Sequence, residues 1–289
     1  MNVAFFVLIL FFWSTSWIAI AWQAGDVPAL VSIFYRFVFA GILFLVTLRF
    51  CGRLQPSSRR DHLFFMLQGL LLFCLNFVGF YLATRYIASG LVALVMSGAI
   101  VLNGINARLF FGQPFSRKMA AATAFGLCGL GVVFFRDIVV TVDVNTIKGI
   151  VLAILGTCSF SLGNMVSIRN SQNNIDLSTA TAWAMCYGSL FTLVLIRIMG
   201  FSMVWDPSLR YVGALVFLVL GASIAGFSLY LRLLTRVGAA RAAYVLVVTP
   251  VIALLISAAF EGYQWQMNNF YGLCLVMAGN IMLLRAKSE

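Results

Sequence analysis

Residues 235–261, TRVGAARAAYVLVVTPVIALLISAAFE, open on a basic, small-residue turn, continue as a long apolar segment carrying Pro250 and close at Glu261. Residues 84–99, TRYIASGLVALVMSGA, begin in the same way. Thr84 and Arg85 answer Thr235 and Arg236 at an offset of about 151 residues, and Ala99 stands where Pro250 stands. Two further echoes lie in the same order along the chain. AFGLCGLGVVFFR (124–136) and FYGLCLVMAGNIMLLR (270–285) share GLC at 126–128 and 272–274, and Ser14 and Ser16 of FFWSTSW (11–17) answer Ser159 and Ser161 of GTCSFSL (156–162). Self-similarity at half the chain length indicates a single duplication, not a solenoid of short repeats. The expected units are residues 1–143 and 144–289.

The composition places both units in lipid. With 63% hydrophobic residues, 9% charged residues and a mean hydropathy of +1.03, the 289-residue chain cannot cover itself with a water-soluble surface. Apolar runs of about 20 residues, the length of helix needed to cross about 30 Å of hydrocarbon, recur from end to end. Ten spans are predicted at 3–22, 29–50, 63–83, 88–110, 118–135, 149–168, 178–197, 211–232, 241–260 and 269–285. The first run carries AIA before Trp22 but has no basic leader, so it is read as a retained helix rather than a signal peptide.

The net charge of +11 is spread singly and in pairs between the apolar runs, which is a topology signal rather than a nucleic-acid patch. Thirteen Lys and Arg residues fall on one side, in the groups Arg49–Arg60, Arg108–Lys118, Arg169, Arg232–Arg241 and Arg285–Lys287, against five on the other: Arg85, Arg136, Lys148, Arg197 and Arg210. This count predicts both termini in the cytoplasm. Five spans per half is an odd number, so the second half enters from the opposite side. The expected fold is therefore all-α integral membrane: ten transmembrane helices as two inverted five-helix repeats, an arrangement typical of transporters.

Polar residues inside the spans are the candidate site. Arg36 is the one charge well inside a span, roughly 10 Å from its outer end by helical rise. A central Arg costs about 2.5–3.5 kcal/mol on insertion scales, so it needs a reason. One reading is a counter-charge for an anionic substrate group; the other is an Arg that binds helix-end carbonyls or snorkels outward. Asn76, with Gly69 and Ala83, forms a small, polar stripe at seven-residue steps. Ala99, Asn103 and Asn106, then Thr157, Ser161 and Asn164, then Gly221, Ala225 and Ser228 form others. Such stripes line a cavity or join helices by hydrogen bonds of about 0.6 kcal/mol each. Pro250 removes one backbone donor, which serves either a structural kink or carbonyls turned to a cavity. Trp13 and Trp17, one turn apart, either stack on a substrate or pack in the core.

No Asp or Glu lies in the middle of a span, so a carboxylate proton relay is not expected. The six Cys residues show no CxxC, the single His62 sits beside Asp61 at a helix start, and no Ser/His or metal-ligand cluster stands out. The Cys residues read as small buried hydrophobes. No catalytic residue, metal or cofactor is expected, and an enzyme is not.

In this order and spacing the motifs resemble those of the EamA family of the drug/metabolite transporter superfamily, over nearly the whole chain. FFWSTSW is similar to the family's aliphatic run ending in Trp and Gly, with Ser14 in the glycine's place. PALVSIFYRFVFAGILFL, from Pro28, is similar to its Pro, Arg-Phe and small-residue pattern, which puts Arg36 on a family position. Gly238 through Pro250 to Glu261 looks like its small-residue turn, Pro and terminal Glu. The first half departs at Ala99, where the family pattern has Pro, and at Gln113 in FGQPFS, where it has Glu. The resemblance implies a carrier of the bacterial inner membrane, commonly an exporter, for small metabolites such as amino acids, with its site between the halves. The aromatic first helix and the lack of membrane carboxylates are similar to the aromatic amino-acid exporter branch.

The expected function is export of a small metabolite, an amino acid first, by alternating access. The expected site is Trp13, Trp17, Arg36, Asn76, Asn103, Ser161, Asn164, Ser228 and Pro250. Expected partners are the solute and the lipid bilayer, with no nucleic acid, and the chain acts as a monomer. Two rival readings are a carrier of cationic drugs or lipid-linked and phosphorylated metabolites, and a non-transporting membrane partner protein.

Overall fold

The computed structural model describes residues 2–112, 117–135, 143–230 and 244–286, and among them every regular element is helical. Ten helices follow in order: α1 (Asn2–Trp22), α2 (Ala29–Phe50), α3 (Arg59–Ala83), α4 (Ser89–Phe111), α5 (Arg117–Phe135), α6 (Val144–Gln172), α7 (Leu177–Ile198), α8 (Leu209–Tyr230), α9 (Tyr244–Phe260) and α10 (Met267–Ala286). Each predicted span holds one of them. Seven have both the length and the apolar character of a crossing, and Ala124–Phe135 and Val245–Phe260 are shorter apolar helices. Thr235, Arg236 and Gly238 of the repeat, Gln113, and the charges Arg136, Asp137, Arg232, Arg241 and Lys287 lie outside the described residues.

Two helices start earlier than hydropathy predicts, because polar caps carry them beyond the hydrocarbon. At α3, Ser58 Oγ accepts from the Asp61 amide at 3.2 Å and Asp61 Oδ2 accepts from the Ser58 amide at 2.9 Å, a reciprocal capping box. At α6, Asp143 accepts from the amides of Asn145 and Thr146, each at 3.1 Å. The Thr146 hydroxyl, and then these two amides, hold the Asp143 carboxyl below its ordinary range.

The helices pair across the chain. α2 packs on α7, α5 on α10 and α4 on α9, each five places apart in the helix order; α1 packs on α9 and α6 on α4. At the α5–α10 contact a Cβ on Gly272 would lie 2.6 Å from the carbonyl oxygen of Gly129, so only a bare backbone permits this approach. Wide turns with i→i+5 bonding interrupt α3 at Gly69–Leu75 and α8 at Phe217–Ala225, about 150 residues apart. α9 runs through Pro250 without interruption, whereas α4 breaks at Gly98, just before Ala99.

Phe11, Phe39, Ile42, Leu109, Leu155, Leu190 and Phe270 are exposed on the outside of the bundle, a surface that suits hydrocarbon and not water. The protein is a multi-pass membrane protein. The cysteines correct the sequence reading: Cys74 is buried, but Cys51, Cys128 and Cys274 are exposed. Hydrocarbon is as apolar as the core, so a lipid-facing thiol needs no burial in protein.

Candidate functional site

α1 brings Trp13, Ser16, Trp17 and Ile20 onto one face, the i, i+3, i+4, i+7 stripe of a helix. That face borders a central cavity of about 60 Å³, closed around by Arg36 of α2, Asn76, Phe77 and Phe80 of α3, Met96 of α4, Phe160 of α6, Ala222 and Phe227 of α8, and Leu246 and Thr249 of α9. Both halves of the chain contribute. α5, α7 and α10 take no part in the lining and stand outside it.

Arg36 dominates the cavity. Only 3% of it is exposed. Its Nε donates to Ser223 Oγ of α8 at 3.1 Å, and its guanidinium carbon lies 4.5 Å from the centre of the Phe77 ring and 5.1 Å from that of Phe37. These ring faces favour the cation but offer no counter-ion. The Tyr81 phenol is its electrostatic neighbour and donates onward to Gln23 Oε1 at 2.8 Å. Arg36 Nη1 is buried and has no hydrogen-bond partner. A guanidinium remains charged in proteins, and burying it without a counter-ion and with one nitrogen unpaired is costly.

Asn76 is the second incomplete group. Its Nδ2 donates to the Leu72 carbonyl at 2.9 Å, which fixes the orientation of the amide, and its Oδ1 is buried without a partner. The remaining polar groups around the cavity are engaged with their own or neighbouring backbone. Trp13 Nε1 donates to the Ala222 carbonyl at 3.3 Å, Ser16 Oγ to the Trp13 carbonyl at 2.8 Å and Thr249 Oγ1 to the Val245 carbonyl at 2.7 Å.

Of the site residues expected from the sequence, the structure gathers Trp13, Trp17, Arg36 and Asn76 around this cavity. Asn103, Ser161 and Asn164 lie outside its lining and join helices instead: Asn164 Nδ2 donates to Asn103 Oδ1 at 3.3 Å, and Asn106 Nδ2 to Ser161 Oγ at 2.8 Å, both between α4 and α6. Ser228 is half-buried and Pro250 buried, neither in the lining. Sequence reasoning missed Ser16, Thr249, Ser223 and the rings of Phe77, Phe80, Phe160 and Phe227. Ser16 shares the stripe of the two tryptophans and could have been found from it.

A wider vestibule of about 670 Å³ opens at the end of the bundle that carries the C-terminus of α1. Ile20 and Phe80 border the central cavity, while Ala21 and Thr84 border the vestibule, so the two are stacked along α1 and α3 about one turn apart. Trp22, Arg85, Arg210, Glu261 and Tyr263 contribute to the vestibule wall, and the Arg210 guanidinium carbon lies 5.6 Å from the centre of the Trp22 ring. At this end the two halves are tied together: Glu261 Oε2 accepts from the Ser89 amide at 2.9 Å, and Ser257 Oγ from the Gly90 amide at 2.8 Å.

The lining combines one charge, a few hydrogen-bonding groups and aromatic faces. Membrane-length helices enclose this cavity. The chain belongs to the EamA-like transporter family, which matches residues 1–135 and 147–285. It is similar to the uncharacterized transporter YoaV of Bacillus subtilis (strain 168), 22% identical over 277 residues that span 93% of this chain and 92% of the relative. It is also 23% identical, over 90% of its length and 84% of the relative's, to an uncharacterized transporter in the trpA 3'region of Buchnera aphidicola subsp. Schlechtendalia chinensis. A solved crystal structure shares the fold with a TM-score of 0.68 at 15% identity, covering 98% of this chain and 96% of the other.

Proposed function

We propose that this protein exports a small amphipathic carboxylate, an amino acid, across the bacterial inner membrane by alternating access. The observation that carries the reading is Arg36: a permanent positive charge without a counter-ion, its Nη1 buried and unpartnered, on a residue that lines a cavity walled by aromatic rings. A carboxylate would supply the missing partner, and Trp17, Phe77, Phe80 and Phe160 would receive an apolar side chain.

The two family matches, the pairing of α2, α4 and α5 with their counterparts and the corresponding wide turns in α3 and α8 support two inverted repeats. About 60 Å³ is too little for an amino acid, so the substrate-bound form must be wider; the wide turns lie beside the cavity and can absorb that change. The charge bias of the loops supports cytoplasmic termini, which puts the vestibule on the outer side and makes it the way out. With no carboxylate in the middle of a span, facilitated diffusion is the proposed energetics, and the two fused halves allow a single chain to work as a monomer.

Counterflow in liposomes containing the purified protein tests the reading, with preloaded amino acids, cations and phosphorylated solutes exchanged against labelled aromatic and small neutral amino acids. Exchange of amino acids without a pH gradient is expected. Exchange of cations or phosphorylated solutes alone would refute it.

A further inference from the structure

We propose that Asn76 is a specificity-determining residue that accepts a hydrogen bond from the ammonium group of a zwitterionic substrate while Arg36 takes its carboxylate. The proposal rests on the carrier reading above and specifies what the cavity selects. Its basis is the hydrogen-bond inventory. Arg36 Nη1 is a donor without a partner, and Asn76 Oδ1 an acceptor without one; both are buried and belong to residues of the same lining. The two groups are close in the fold, since Phe77, next to Asn76, is the ring against which the Arg36 guanidinium rests.

The other polar groups of the lining have the same bias. The protons of Ser16 Oγ, Thr249 Oγ1 and Trp13 Nε1 are committed to backbone carbonyls, whereas the two hydroxyl oxygens keep lone pairs. One of the two Asn76 Nδ2 protons is likewise taken by the Leu72 carbonyl. Beside the charged donor at Arg36 and the second amide proton of Asn76, the lining therefore carries three acceptors, at Asn76, Ser16 and Thr249. An ammonium group has three donors and no acceptor, so it complements those three oxygens. A plain carboxylic acid would satisfy Arg36 but leave Asn76 Oδ1 desolvated and unpaired, and a plain amine would do the reverse. Sites that read a polar group in this way discriminate against analogues that lack it.

Competition against labelled phenylalanine counterflow by the full-length protein in liposomes tests the proposal, with phenylalanine, 3-phenylpropanoate (no ammonium) and 2-phenylethylamine (no carboxylate) as unlabelled competitors. For the wild type, phenylalanine should compete at concentrations at least about tenfold below 3-phenylpropanoate. Asn76→Leu should close that gap to within about threefold by weakening phenylalanine and leaving 3-phenylpropanoate unchanged, which also shows that the variant is folded. Thr249→Val provides the same comparison with a smaller shift should Asn76→Leu not insert. Equal competition by phenylalanine and 3-phenylpropanoate in the wild type, or a proportional loss of both in the variants, overturns the role of Asn76 but leaves carboxylate transport standing. Competition by 2-phenylethylamine as strong as by phenylalanine overturns the carboxylate reading itself.

Discussion

Arg36 Nε donates to Ser223 Oγ at 3.1 Å, and this one bond aims the charge of the first half of the chain from a hydroxyl in the second. Ser223 sits within the wide turn of α8, so the orientation of Arg36 depends on the local winding of that helix. Any rewinding during transport would move the charge.

Ser223→Ala should therefore weaken substrate binding more than it slows turnover. A hydrogen bond to a charged group contributes about 1.5–3 kcal/mol, which corresponds to a rise in KM of about tenfold or more. Concentration dependence of counterflow checks it, and an unchanged KM would show that Phe77 and Phe37 hold Arg36 without help.

Arg36→Leu separates stability from function. Removing a buried charge that has no counter-ion should raise stability by about 1–4 kcal/mol, while carboxylate exchange is lost. Thermal unfolding in detergent and counterflow on the same preparation check both halves. A destabilised variant would mean that Arg36 is a structural tie.

The two GLC echoes should respond in opposite ways to the same change. Gly272→Ala drives a methyl group into the Gly129 carbonyl and should cost about 1–3 kcal/mol. Gly126→Ala meets nothing within 4 Å and should be neutral or stabilising by up to about 1 kcal/mol, since Ala is the better helix former. Denaturation midpoints of the two variants provide the comparison.

Glu261→Gln removes a negative charge from the N-terminal end of α4, where it accepts from the Ser89 amide. A loss of about 0.3–1 kcal/mol is expected, decreasing in high salt. Hydrogen exchange at the Ser89 amide would localise the effect. Protection unchanged from wild type would show that Ser257 alone secures this end.

The start of α6 should loosen in acid. Hydrogen bonds from Thr146 and Asn145 lower the Asp143 carboxyl in the folded protein, so its contribution is complete above the ordinary carboxylate range and is lost as pH falls through the lowered value. Protection of the Asn145 and Thr146 amides, relative to their intrinsic exchange at each pH, should fall there, and Asp143→Asn should flatten that pH dependence.

Much of the fold was legible because lipid imposes a simple rule. A helix must be apolar for about 30 Å, so ten hydrophobic runs became ten helices, whereas which helices pack together was read only from the structure. Helix ends were less legible where Ser58 and Asp143 cap polar turns that hydropathy leaves out. Arg36 and Asn76 stood out because polar groups are rare in the spans. The four phenylalanines around the cavity did not, among the 27 in the chain.

By itself, then, the sequence determined the solvent, the number and order of the helices and the single membrane-embedded charge, all consequences of the cost of exposing polar groups to hydrocarbon. The tertiary structure decided which side of each helix looks inward. Regular spacing in α8 pointed to Gly221, Ala225 and Ser228, but the wide turn uses more residues per revolution and presents Ala222 and Phe227 to the cavity, with Ser223 against Arg36. It also decided which polar atoms are left without partners. Asn103 and Asn164 satisfy each other across α4 and α6, while Asn76 Oδ1 and Arg36 Nη1 do not find partners, and hydrogen-bond satisfaction exists only once the neighbours are in place.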